Sequence, residues 1–410
     1  MKNIAFLFGA GASIPAGMPT TYDISKEVFE GWDNWYFNNL EYWLKCSSNQ
    51  SLEIFESSPY RNYAKEAGHF INLIRTECEL YYLTIAKESV STNYEEVFDV
   101  IRQLDMSQSR EIDNPIIGAF LLKIRSLSHH LWNESEDNHH SHLSFKDLCE
   151  SSQSFIKSVL RYKLSSHHIK DVGYFQFIKD ITGNRSISLE GICTLNHDMT
   201  IERFFKEQKI EFVDGFQKEY EGVRIWNTEV FEETRKLILL KLHGSLRWSF
   251  IKEHIPDAPQ LEKFIPACFE HYEQEDRGDS TFRWKGKEYY ERADAPLFLT
   301  GTNDKYLQYQ YGIFVELWNQ YQRVLSKTNI LICIGYGFGD NAVNARIINW
   351  MWEQDNRKLI VIDINEFDEA RKNSRGAIHR HLFEWNNKRM TWITKNAKDL
   401  TADELLGHIL

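Results

Sequence analysis

Five short clusters in this 410-residue sequence combine residue types that could do chemistry. Phe8-Gly9-Ala10-Gly11-Ala12-Ser13, with Gly17-Met18-Pro19 close behind, ends an apolar run in closely spaced glycines. Such a turn lets backbone N–H groups approach a pyrophosphate, whose charge a helix amino terminus favours. The full GxGxxG pattern fails because Ile14 stands at the third glycine. Thr194-Leu195-Asn196-His197-Asp198 and Leu242-His243-Gly244-Ser245 each follow an apolar run. They bring an amide, a carboxylate and an imidazole, and an imidazole titrates near neutral pH and so suits a base. Gly335-Tyr336-Gly337-Phe338-Gly339-Asp340-Asn341 has three glycines in five residues and then an Asp able to cap a helix, a second backbone cradle for phosphate or ribose. Asp363-Ile364-Asn365 ends a later apolar run with groups that can hold ribose hydroxyls.

Each cluster alone has a plainer explanation. Asp198 can be the cap of a helix from Thr200 to Lys206, His243 a satisfied core histidine, and the glycines tight turns. Structural punctuation does not easily explain why all of them stand at strand ends.

The elements that would position them are short, nearly continuous apolar runs at Ile4–Phe8, Ile192–Leu195, Leu237–Leu242, Leu297–Thr300, Ile330–Ile334 and Leu359–Ile364. Buried parallel strands have that composition. Helical patterns after the second and fifth, at Ile201–Phe205 and Val343–Trp352, predict an α/β doubly wound parallel sheet, in which polar groups at the carboxyl ends of strands face the ligand crevice. The core is expected over residues 1–31 and 181–410. A large insertion over 32–180, rich in Leu, Ile, Phe, Tyr and Trp without strand alternation, is expected to be helical. A small insertion over 249–295 carries a possible hairpin around Gly286.

Composition narrows the function. A net charge of −11 argues against binding nucleic acid by phosphate neutralisation, and the basic stretch Arg371–His381 reads as a solvated face. No apolar stretch is long enough to span a membrane. The amino-terminal apolar run breaks at Gly9, as a first strand does and a leader does not. None of the six cysteines forms a CxxC pair, so disulfides and a four-thiolate zinc site are not expected and a cytoplasmic location is. His129, His130, His139, His140, His142, His167 and His168 lack carboxylate or thiolate spacing for a closed coordination sphere, so no metal is expected there.

Taken in order, the clusters resemble the sirtuin superfamily. GAGAS with GMP is similar to the sirtuin GAGxS…GIP, TLNHD to TQNID, LHGS to the catalytic HG, and VIDIN to the late IN that contacts the adenosine ribose. GYGFGDN and Asn93-Tyr94-Glu95-Glu96-Val97 look closer to sirtuin-like NADases of bacterial antiphage defence than to deacylases. The departures from a deacylase agree: Thr20-Thr21-Tyr22 stands where DFR would follow, Leu195 replaces a Gln, and only Cys268 lies where a zinc module would be.

The resemblance implies a Rossmann-like core that takes NAD as substrate and needs no metal. Asn196 would position the ribose or a water, His243 would be the base, and Asp198 would hold the nicotinamide amide. Gly9, Ala10, Gly11, Ser13, Gly17, Pro19, Thr194, Gly335, Gly337, Asp340, Asp363 and Asn365 would bind the rest of the dinucleotide. The implied activity is NAD glycohydrolysis to nicotinamide and ADP-ribose, depleting NAD in abortive infection. A protein deacylase or ADP-ribosyltransferase, and a non-catalytic NAD or ADP-ribose sensor, stay open beside it. About 45 residues follow Asn365, with no recognisable sensing domain. The expected partners are therefore further copies of the chain, through the helical insertion, and a HerA-type ATPase ahead of a short Argonaute.

Overall fold

The computed structural model describes residues 1–38, 41–45, 62–86, 92–132, 143–165, 168–218, 222–232, 236–253, 264–269, 281–284, 286–291, 297–301 and 304–410. The chain divides into two compact units. One comprises Met1–Met18, Leu164–Leu299 and Lys305–Leu410, the other Pro19–Lys163 with Thr300–Asp304.

The first unit is built on a seven-stranded sheet. Its strands are β1 (Lys2–Phe8), β2 (Ile187–Thr194), β3 (Phe212–Val213), β4 (Leu237–Lys241), β5 (Ile330–Ile334), β6 (Lys358–Asp363) and β7 (Met390–Thr394). They lie in the order β7-β6-β5-β1-β2-β4-β3, every neighbouring pair parallel. Parallel strands are connected by crossovers that cover both faces, which is why β1 is apolar at every position from Ile4 to Phe8 rather than at alternate ones. Ala5 and Leu7 belong to a core shared with Leu317 and Tyr321 of the helix Gly312–Lys327 and with Ile347 and Met351 of the helix Asn341–Glu353. On the opposite face Phe6 and Phe8 pack on Phe177 and Phe175 at ring separations of 5.9 and 5.4 Å. After β1 the chain moves to β2 on one side, and after β4 it returns to β5 on the other. The sheet therefore reverses between β1 and β5, and in this architecture the crevice for a ligand opens at the carboxyl ends of those strands. The fold is the Rossmann-type doubly wound sheet that the apolar runs imply.

Several elements depart from the sequence reading. Leu297–Thr300 is not a sheet strand. Leu299 N–H donates to the carbonyl of His243 at 2.8 Å and Leu297 N–H to that of Trp248 at 2.6 Å, so the run is pinned across the turn after β4. Its apolar residues are buried by that turn, which imitates a strand's composition. β3 and β7 escape notice because they are edge strands, with half-buried residues in place of a continuous apolar run. The expected hairpin is present, Thr281 pairing with Tyr290 across Gly286. It belongs to a larger five-stranded antiparallel sheet with Val223–Ile225, Trp248–Glu253 and Phe264–Phe269.

The second unit holds the helices Thr21–Glu30, Tyr63–Ala86, Tyr94–Gln108, Pro115–Ser128 and Phe145–Leu164. Asn93 caps the third of these, its side chain accepting from Glu95 and Glu96 N–H while Glu96 returns a bond to Asn93 N–H. This gives the NYEEV stretch a structural role. The unit is not wholly helical, as expected from composition, because Trp35–Asn38 and Glu41–Leu44 pair antiparallel. Trp35 stacks edge-on against Phe155 and Tyr162, and the carboxylate of Glu41 receives both terminal nitrogens of Arg161 at 2.9 and 2.7 Å. Among the described residues, no helix is long and apolar enough to cross a membrane and no group of His, Cys, Asp or Glu is placed to hold a metal. His139, His140, His142 and His167 lie outside the described residues.

Candidate functional site at the strand ends

The glycine turns after β1 and β5 lock together. Gly11 N–H donates to the carbonyl of Gly335 at 3.0 Å, and Gly9 N–H to that of Ile334 at 3.0 Å. A Cβ on Gly335, whose φ is 61°, would lie 2.3 Å from the amide nitrogen of Ala12, and one on Gly11 2.8 Å from the Cα of Gly335. The glycines are thus required by the approach of one loop to the other before any ligand is considered. The expected helix does not follow β1 directly. Two short 3₁₀ turns, Ala10–Ala12 and Ile14–Ala16, come first, punctuated by Pro15 and by Gly17 at φ 90°. Pro19 falls in the second unit.

In the loop after β5 the side chains alternate. Tyr336 and Phe338 are buried, while Gly337 and Gly339 face open space. Phe338 holds φ at 53°, and Asn344 ties the loop by donating to the Phe338 carbonyl at 2.8 Å and accepting from Tyr336 OH at 2.9 Å. A buried aromatic residue in the left-handed region is a strained conformation kept by its surroundings.

At the end of β2, Asn196 donates both amide hydrogens to the first glycine turn, to the Gly9 carbonyl and the Ser13 hydroxyl at 2.9 Å each. Its N–H is received by the Thr194 hydroxyl at 3.1 Å. With the NH₂ group so engaged, the amide oxygen is the function it can offer a ligand, as an acceptor. Asp198 accepts from Thr200 N–H at 2.9 Å in the turn that leads into the helix Thr200–Gln208, whose N-cap is Met199 and not Asp198, and its carbonyl receives the buried ammonium of Lys241, which also pairs with Glu202 at 2.7 Å.

One strand further along, His243 leaves β4 with its Nε2 at 2.9 Å from Oδ2 of Asp340. The other carboxylate oxygen caps the helix Asn341–Glu353, taking Ala342 and Val343 N–H at 2.9 Å each, and Tyr309 OH reaches Oδ2 at 3.3 Å. Burial works to raise the Asp340 pKa, but the hydrogen bond and charge of His243, then Lys305 and the capping bond, pull it down to about 2. An ionised carboxylate only accepts, so Nε2 of His243 carries a proton and the basic nitrogen of the neutral ring is Nδ1. Asp340 therefore faces the imidazole rather than a ribose. The imidazole lies between His197 and Tyr309, at ring separations of 6.0 and 6.2 Å. Burial first, then His243, Lys305 and Lys241, holds His197 well below its usual pKa, and its Nδ1 is buried without a hydrogen-bond partner. A Cβ on Gly244, at φ 81°, would meet the Leu297 carbonyl at 2.4 Å, so the HG pair is a packing requirement as well.

On the other side of the switch point, Asp363 lies in a cleft lined also by Gly11, Ile14, Gly335, Lys395 and Asn396. Its Oδ1 accepts from Asn365 N–H at 2.8 Å. Burial raises its carboxyl above the ordinary value against the bonds from Asn365 and Ile364.

Of the residues singled out in the sequence, the structure brings Gly9, Gly11, Ser13, Thr194, Asn196 and Gly335 into one bonded group, pairs His243 with Asp340, and sets Asp363 beside the glycine turns. Sequence reasoning missed His197, Lys305 and Tyr309. The first lay within a motif whose neighbours drew the attention. The other two sit on the short helix Asp304–Gln308 and just after it, with no strand before them to mark their place.

No curated protein matches the chain. A mutant Sir2 homologue bound to 2′-O-acetyl ADP ribose is similar at 12% identity and a TM-score of 0.32, covering 100% of this chain and 92% of that one. A Sir2 homologue bound to NAD is similar at 11% identity and a TM-score of 0.36, covering 100% and 89%. Residues 190–393 match the family model described as the SIR2-like domain, and that segment holds Thr194, Asn196, Asp198, His243, Asp340 and Asp363 on the Rossmann-type sheet.

Proposed function

We propose that the chain binds NAD across the switch point and hydrolyses its nicotinamide–ribose bond. The observation that carries this reading is His243, held through Nε2 by an ionised Asp340 at the end of β4, with Asn196 fixed at the end of the adjacent β2. The nicotinamide riboside half then lies over β2 and β4, the pyrophosphate at the paired glycine turns, and the adenosine half over β6 and β7.

Departure of neutral nicotinamide leaves oxocarbenium character on the ribose and needs no acid. What the protein supplies is orientation and a base. The Asn196 amide oxygen accepts from a ribose hydroxyl or the attacking water. Nδ1 of His243 takes a proton from that water as its oxygen bonds to the anomeric carbon. The products are nicotinamide, ADP-ribose and one proton, which passes from His243 to solvent. Asp198, with one oxygen on the helix Thr200–Gln208, offers the other to the nicotinamide amide.

Purified protein incubated with NAD alone tests this. Nicotinamide and ADP-ribose formed in equal amounts without an acceptor support hydrolysis, turnover only with a peptide or protein acceptor assigns a deacylase or transferase, and binding without products leaves a sensor. The finer reading is NAD depletion in antiphage defence. In it, copies of the chain associate through the second unit and work with a ring-forming ATPase of the HerA type. Supporting the association, Leu80 and Leu83 on the helix Tyr63–Ala86, and Ile116 and Leu122 on Pro115–Ser128, are exposed apolar residues. Light scattering of the chain and co-purification with such an ATPase test that part.

A further inference from the structure

Lys241 ends β4 two residues before His243, and its side chain is only 2% exposed. Side chains alternate along a strand, so it shares a face with Leu239, which is fully buried. An apolar residue would serve that face of the sheet. Lys241 instead places its ammonium at the amino terminus of the helix Thr200–Gln208, where it pairs with Glu202 at 2.7 Å. Stability does not account for this arrangement. A cation at a helix amino terminus opposes the helix dipole. A buried ion pair recovers its desolvation cost only when the remaining polar atoms are satisfied, and Oε2 of Glu202 is buried without a hydrogen-bond partner. Burial raises the Glu202 carboxyl above its ordinary value, against the pull of Lys241.

What the ammonium supplies is a donor. It bonds the carbonyl of Asp198, which lies ahead of the N-cap Met199 and so has no partner within the helix. The carbonyl of Lys241 accepts from Gly244 N–H at 3.0 Å and closes the turn that carries His243. One residue is thus bonded to both turns, by its side chain to the turn after β2 and by its backbone to the turn after β4. Two uncharged ties run beside it, from Leu246 N–H to the His197 carbonyl at 3.1 Å and from Ser245 Oγ to Met199 Sδ at 3.3 Å.

Given the hydrolysis of NAD set out above, on which the functional part rests, we propose that Lys241 is a positioning residue. Its ammonium fixes the turn of residues 195–199 against the turn after β4, and so sets Asn196 and Asp198 in the orientation to His243 that cleavage needs. It touches no reacting atom. Glu202 neutralises the ammonium and takes no part in the tie itself.

Three variants of the full chain test this. Lys241→Met removes the charge and strands the Glu202 carboxylate, so it should melt below the parent. Lys241→Met with Glu202→Leu replaces the buried pair by apolar residues and should melt near the parent. If Lys241 served stability alone, kcat would return with the melting temperature. Positioning predicts instead that the double variant stays about fiftyfold below the parent in kcat for NAD cleavage. KM should move less than about threefold, because Asn196 and the glycine turns keep their own bonds. Glu202→Gln leaves the donor in place and should lower kcat less than about threefold despite a lower melting temperature. Hydrogen exchange reads the tie without turnover: Leu246 N–H should exchange at least about tenfold faster in the double variant, with the helix Asn341–Glu353 unchanged. Parental kcat in the double variant, equal losses of kcat in Lys241→Met and Glu202→Gln, or parental exchange at Leu246 each overturns the assignment. If the parent does not cleave NAD, the hydrolysis reading falls by itself; faster exchange at Leu246 then still upholds the tie made by Lys241, and parental exchange removes that too.

Discussion

Replacing Asp340 by Asn separates the role of the His243–Asp340 pair from simple packing, because the side chain keeps its shape and loses its charge. The carboxylate serves two masters: Oδ1 takes Ala342 and Val343 N–H, and Oδ2 takes His243 Nε2 and Tyr309 OH. An amide cannot do both. If its oxygen stays on the helix cap, its NH₂ group faces Nε2, and the imidazole must accept there and carry its proton on Nδ1, the nitrogen required as base. If the amide turns round, two backbone donors meet an NH₂ group and the cap is lost, at about 1 kcal/mol. A fall in pKa from 3.8 to about 2 corresponds to roughly 2–3 kcal/mol in favour of the ionised carboxylate. A base in the wrong tautomer loses roughly a thousandfold in rate, about 4 kcal/mol at the barrier. Asp340→Asn should therefore lower kcat for NAD cleavage about a thousandfold, with KM changed less than about threefold and the melting temperature by a few degrees. Because the folded pKa is depressed, the stability due to this group is present above the unfolded value near 3.8 and is lost as pH falls towards about 2. The variant should lack that part of the acid destabilisation. Chromatographic NAD assays with melts at pH 2 to 7 read both effects. Near-parental kcat in Asp340→Asn, or a further loss on adding His243→Ala as large as that in the parent, would refute the pairing argument.

Four further substitutions test other parts of the molecule. Asn196→Ala and His243→Ala should each lower NAD cleavage at least about a hundredfold with the far-ultraviolet spectrum unchanged, and a near-native rate in His243→Ala would sink the mechanism. Gly335→Ala should fail to accumulate as folded protein or melt well below the parent, since its Cβ would lie 2.3 Å from Ala12 N at a φ of 61°; a parental melt would mean that the two turns can part at little cost. Glu41→Ala leaves the guanidinium of Arg161, with side-chain exposure of 6%, buried without its carboxylate, and should cost about 3–5 kcal/mol in urea unfolding of the second unit. A loss below about 1 kcal/mol would place water or another acceptor at that guanidinium.

Burial decides how much of the molecule was legible in the sequence. β1, β4, β5 and β6 are central or flanked by central strands, so their residues are apolar on both faces and read as continuous runs. The polar residues that break those runs are the ones at the crevice, which is why Asn196, His243 and Asp363 could be placed at strand ends from composition alone. The same rule hid β3 and β7, whose outer edges meet solvent, and it promoted Leu297–Thr300 wrongly, because a segment laid over the HG turn is buried as deeply as a strand. The hairpin at Trp35 escaped for another reason. Its aromatic residues pack on a helix of the second unit, so the segment shares the helices' composition and shows no alternation.

The roles of the glycines and of Asp340 were not legible, because both depend on contacts between segments more than three hundred or nearly one hundred residues apart. Gly9 and Gly11 read as a phosphate cradle, yet their first duty is to admit Gly335; Asp340 read as a ribose contact, yet both its oxygens are taken by the helix end, His243 and Tyr309. These contacts have one consequence in common. Ser13, Asn196 and the two glycine turns form one hydrogen-bonded body, and His243, Asp340 and Tyr309 form another, so the polar groups are fixed before a ligand arrives. Orientation is then supplied by folding, and little of a ligand's binding energy is needed to arrange the site. The strain at Phe338 fits the same account. It lies in the loop that joins Gly335 to Asp340, and a relaxed backbone there would move the carboxylate that sets the tautomer of His243.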